Sequence, residues 1–166
     1  MADKKSALLT SLEAIPPVQT LPPQSGNIKL AWGFLTTDTI HADADVLRLF
    51  RVNARWTFVG SRVATADIGG ATSDLDLGLY RRDDGAVLDQ DCFADGLDIA
   101  TALDTGFVAA AAGAASAETV ETMFELGGSA AGTGNDWYDV AATIDTLATD
   151  AAGLVLAQVW YIDPAA

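Results

Sequence analysis

The chain has 166 residues, with 23 acids against nine Lys plus Arg and a net charge of −14. That balance excludes duplex nucleic acid and anionic membrane surfaces as partners, because both are held by basic clusters that displace counterions from phosphate. Half the residues are apolar, so one domain with a real core is expected, burying about two thirds of the surface its unfolded chain would expose.

Residues 1–27 differ in character from the rest of the chain. The opening MADKKSALLTSLEAIPPVQ lacks the apolar run of a signal peptide, and no stretch is long enough to span a bilayer, so a soluble protein made in a cytoplasm is expected. Pro16, Pro17, Pro22 and Pro23 are four of the five prolines in the chain. Paired prolines fix φ and remove N–H donors, which favours extended chain over helix or inner strand. A disordered leader is one reading of the segment. An arm that orders on a partner is the other, and the apolar Leu8, Leu9, Leu12, Ile15, Val18 and Leu21 speak for it, since a solvating linker has little use for them.

From residue 28 the pattern turns to β. IKLAWGF sets Ile28, Leu30, Trp32 and Phe34 on one face at period two. Strands come next at about 46–52 (VLRLFRV) and 55–66, with Asn53-Ala54 as the turn or bulge between them. The stretch SDLDLGLYRRDDGAVLDQDCF, residues 73–93, alternates Leu75, Leu77 and Leu79 against Asp76, Gly78 and Tyr80, and turns at Asp83-Asp84-Gly85. Residues 94–118 are rich in alanine but broken by Gly96, Gly106 and Gly113, which predicts a short helix near 94–103 and then an irregular loop. TVETMFEL predicts a strand with Val120, Thr122, Phe124 and Leu126 on one face. DWYDVAATIDTL predicts another, with Tyr138, Val140, Ala142 and Ile144 together. GLVLAQVWYI is apolar on both faces apart from Gln158, as expected of an inner strand covered on both sides. Strands of this length between Gly, Asp, Asn and Thr clusters predict an all-β fold: an antiparallel β-sandwich or jelly roll over residues 28–166, with residues 1–27 as an extended N-terminal arm.

Chemistry has few footholds. The aspartates of 73–93 do not carry the spacing of a calcium loop, which needs alternating ligands, a central Gly and a Glu six positions beyond it. Asp74 and Asp76 share a face and could pair on a metal, but Asp74, Asp76, Asp83, Asp84, Asp89 and Asp91 are read as the solvated side of a hairpin. His41 is the only histidine, and no Gly-x-Ser-x-Gly elbow accompanies it. Cys92 is the only cysteine, so no internal disulfide and no cysteine-based zinc site can form. GGSAAGTGNDW, residues 127–137, lacks the Lys-Ser/Thr of a phosphate loop and reads as a connection between antiparallel strands. Trp32, Trp56, Trp137 and Trp160 could line a sugar platform, although aromatic burial is the ordinary use of such residues in strands. No catalytic residue, cofactor or metal site is therefore assigned, and the chain is not read as an enzyme.

The order of features resembles a known family. DVLRLFRVNARWTFVGSRVAT leads into TSDLDLGLYRRDDGAVLDQDCFADGLDIATAL, and AAGLVLAQVWYIDP closes the chain. Over roughly residues 45–105 and the last strand this is similar to the capsid decoration or cement proteins (auxiliary head proteins) of tailed double-stranded DNA bacteriophages. The resemblance implies a structural virion protein on the outer capsid surface, bound to the major capsid protein and to further copies of itself, with no cofactor and no catalytic residues to transfer. In that setting the arm becomes the candidate capsid contact, through Leu12, Ile15, Pro16, Pro17, Val18, Leu21, Pro22 and Pro23. A head–tail connector or tail component is the alternative within a virion, and a carbohydrate-binding module or a carboxylate-based hydrolase the alternative outside one.

Overall fold

The computed structural model describes residues 28–38, 42–109, 121–128, 137–149 and 151–164. The arm, with all eight of its candidate contact residues, and His41 lie outside the described residues. Among the described residues, nine strands and one helical turn run in order: β1 (Ile28–Thr36), β2 (Val46–Asn53), β3 (Thr57–Thr65), β4 (Asp74–Arg81), β5 (Val87–Asp98), β6 (Leu103–Asp104), β7 (Val108–Ala109), α1 (Met123–Leu126), β8 (Trp137–Thr146) and β9 (Leu154–Ile162).

The strands form two antiparallel sheets. Sheet A runs β1-β9-β3-β6 with the short β7 also on β3, and sheet B runs β2-β8-β4-β5. The pairings are nested: β1 with β9, β2 with β8, β3 with β6, and β4 with β5. Such a nest is one long antiparallel ribbon rolled up, the jelly-roll arrangement of an all-β sandwich. Leu75, Leu77 and Leu79 of β4, Val140 and Ile144 of β8, and Val155 and Val159 of β9 meet between the sheets, all of them buried. The period-two reading of β4 and β8 thus places the core residues where the structure has them.

Three expectations are corrected. Residues 94–98 are strand, not helix, because β5 continues through Asp98 in pairing with β4, and Leu97 lies opposite Leu75. Ala propensity is worth tenths of a kcal/mol per residue, and pairing on an inner strand outweighs it. The described part of TVETMFEL does not form the expected strand: Met123–Leu126 form a helical turn whose Thr122 hydroxyl accepts from Glu125 N while the Glu125 carboxylate accepts from Thr122 N. This reciprocal Thr-x-x-Glu cap satisfies donors that a strand would have sent to a neighbour. Finally, β9 is an inner strand within its sheet, between β1 and β3, but only its Val155, Ala157, Val159, Tyr161 face is buried. Nothing among the described residues covers the opposite face fully.

Candidate functional site

The outer face of sheet B holds the acidic stretch. β4 is an inner strand, and its outward Asp76 is buried, contrary to the solvated reading. The cause is β5, which slips register against β4 between Leu75 and Leu77, between Leu77 and Leu79, and between Leu79 and Tyr80. Its surplus length folds over β4. Gln90 Nε2 donates to Asp76 Oδ2 at 2.8 Å and the Gly96 amide donates to Asp76 Oδ1 at 2.8 Å. Gly78 permits the approach, since a Cβ there would stand 2.1 Å from the Asp89 carbonyl oxygen. Asp83, Asp84 and Asp91 are exposed, as expected of the hairpin tip and rim.

Beside them Asp139 of β8 is buried and clamped by two cations. Arg48 Nη1 donates to its Oδ2 at 2.7 Å and Arg51 Nε to its Oδ1 at 2.8 Å. The Arg48 guanidinium also lies 5.7 Å over the Tyr80 ring, and the Tyr80 hydroxyl bonds the Thr143 hydroxyl. Every oxygen of Asp76 and Asp139 thus accepts a hydrogen bond from a neighbouring group. Among the described residues no group of three or more His, Cys, Asp and Glu could hold a metal ion. Burial pushes the Cys92 thiol well above its ordinary range, with Asp89 and Asp91 adding to the shift, so it is not poised as a thiolate. The glycine-rich connection falls mostly outside the described residues.

Sheet A presents the opposite chemistry. The Ile28, Leu30, Trp32, Phe34 stripe of β1 points outward, with Ile28 61%, Trp32 56% and Phe34 57% exposed. Lys29, Ala31 and Gly33 take the inward face, where β1 presses against β2: a Cβ on Gly33 would lie 2.4 Å from the Leu49 carbonyl oxygen. Register extends the stripe across the sheet, placing Leu30 opposite Trp160, Trp32 opposite Gln158 and Phe34 opposite Leu156. Phe107, 54% exposed, packs edge-on against Trp160 at 5.1 Å and lies over Gly60, where any side chain would collide with its ring. The Trp32 and Phe34 rings stack at 6.1 Å.

Two of the four tryptophans, Trp32 and Trp137, are therefore exposed instead of buried, while Trp56 stacks on Tyr161 at 3.8 Å. The only polar side chain among these outer β1 and β9 residues is Gln158, which accepts from Arg62 Nη1 at 3.2 Å, and Arg62 in turn grips Asp104 at 2.6 and 2.8 Å. Period two revealed the stripe in the sequence but could not give its direction. The small Ala31 and Gly33 on the other face were the available clue that β1 has little room beneath it.

No family model matches the chain, and no curated protein matches it. Solved structures do. A chain in the capsid of Ralstonia phage GP4 superposes with a TM-score of 0.62 at 18% identity, covering 87% of this chain and 89% of that one. A chain in the capsid asymmetric unit of cyanophage Pam1 superposes with a TM-score of 0.51 at 18% identity, covering 83% and 86%. The fold is shared with both.

Proposed function

We propose that the protein is a structural component of a phage virion, a decoration or cement protein seated on the outer surface of the shell and bound to the major capsid protein. The shared fold carries this reading, because both matches run nearly end to end on each chain and both partners come from phage capsids. Charge supports the outer placement: a body of net charge −14 is repelled by packaged DNA and is at ease facing solvent. The role calls for no catalytic group and no cofactor. A protein that binds only the assembled shell stabilises it by mass action, through buried area rather than chemistry. Within this role the arm residues Leu12, Ile15, Pro16, Pro17, Val18, Leu21, Pro22 and Pro23 are the shell contact.

Two measurements test the proposal. Mass spectrometry of purified virions is expected to find the chain in many copies. Cryo-EM is expected to place the jelly roll on the outside of the shell at repeated lattice positions. Density confined to one vertex or to the tail would make it a head–tail or tail component, and absence from virions would remove the virion role altogether.

A further inference from the structure

We infer that the outer face of sheet A is the interface of a closed homo-oligomer that forms in solution, before any shell is present. The inference does not rest on the virion role. It starts from area. At roughly 150–250 Å² for each aromatic side chain, the exposed parts of Trp32, Phe34 and Phe107 leave on the order of 300 Å² of ring in water. Ile28, Leu30 and Leu154 of the same face take it beyond the few hundred Å² that a soluble monomer commonly leaves bare.

Charge then selects a second copy as the occupant. None of the 23 acids of the chain lies in β1, β3 or β9, the three long strands of sheet A. Their cations are already neutralised, Lys29 by Asp163 at 3.1 Å and Arg62 by Asp104 at 2.6 Å. Two copies meeting on this face bring together no net charge, whereas on the face of sheet B they would set acid against acid. Repulsion between the two acidic bodies is screened beyond about 8 Å at physiological ionic strength. The flat Trp32–Phe34 stack is also its own complement across a two-fold axis, where the same patch must serve both partners.

Sedimentation velocity of the full chain, from low to high micromolar concentration, tests this. A single closed oligomer is expected, tightening as salt rises because the interface is apolar and the bodies repel. The double variant Trp32→Ser, Phe34→Ser is expected to sediment as a monomer, at least tenfold weaker in self-association, with an unchanged circular dichroism spectrum and melting temperature. A full chain that stays monomeric throughout would overturn the inference and leave the face to the arm or to the shell. So would an oligomer that the double variant leaves intact, or open-ended aggregation in place of a defined mass.

Discussion

Asp139 shows how an acidic chain places a carboxylate indoors. Its two oxygens each take a short charge-assisted bond, from Arg48 and from Arg51, and both arginines remain about two fifths to one half exposed. Removing the acid leaves two like charges side by side, while the partly solvated cations avoid the full penalty of an isolated buried charge. Asp139→Ala is therefore expected to cost about 1–3 kcal/mol in urea unfolding, and Asp139→Asn less, because its amide oxygen keeps one acceptor. A loss below half a kcal/mol for the alanine variant would mean that the clamp is ornamental. Asp89 lies at the other extreme. Burial first, and then neighbouring Asp91, raise its carboxyl above the ordinary range. The folded state thus holds that proton more tightly than the unfolded one, and stability falls as pH rises from the unfolded value of about 3.9 through the raised folded value. Asp89→Asn keeps an oxygen for the Asp91 amide, which lies 3.3 Å from Asp89 Oδ1. The variant is expected to melt slightly above the parent at neutral pH and to lose that advantage below the unfolded value. Melting curves across this range check the sign, and an advantage that grows in acid would reverse the assignment.

At the scale of elements, what the sequence could reveal depended on whether one periodicity decided the outcome. β4 and β8 were legible because Leu75, Leu77 and Leu79, and Val140 and Ile144, have one face that only a core can accept. α1 was readable in principle from Thr122 and Glu125, but a four-residue helix offers no helical period to set against the alternation of the same letters. The outward turn of β1 was signalled only by the small Ala31 and Gly33 on its other face. A stripe of apolar residues at period two is equally consistent with either face, and the choice is made by β2, the next strand along the chain, whose Leu49 carbonyl presses on Gly33. The same asymmetry gives a stability test. Leu77→Ala opens a cavity at a fully buried position and is expected to cost about 2–5 kcal/mol. Thr122→Ala removes only a cap, at about 1 kcal/mol. Equal losses at both sites by chemical denaturation would contradict a core centred on β4.

For the whole molecule, the two ends of the apolar inventory fall in different places. Among the described residues the core runs from Leu47 to Tyr161, and the body is expected to keep it closed when residues 1–24 are removed. The arm's own Leu12, Ile15, Val18 and Leu21 must still find cover, and fixing an arm of this length costs roughly 1–2 kcal/mol of backbone entropy per residue. Only a large surface offsets that cost, and a capsid lattice is such a surface. Proline pairs lower the cost by restricting the free arm beforehand, as a pre-set φ does wherever a chain must bind extended. A variant lacking residues 1–24 is therefore expected to melt within a degree or two of the full chain, yet to co-sediment at least tenfold more weakly with capsid shells that lack this protein. Its sedimentation as a free protein should be that of the same oligomer, because the face of sheet A is untouched. If the truncated protein bound shells as tightly as the full chain, attachment would have to run through the jelly roll, and the arm would be a leader with no share in it.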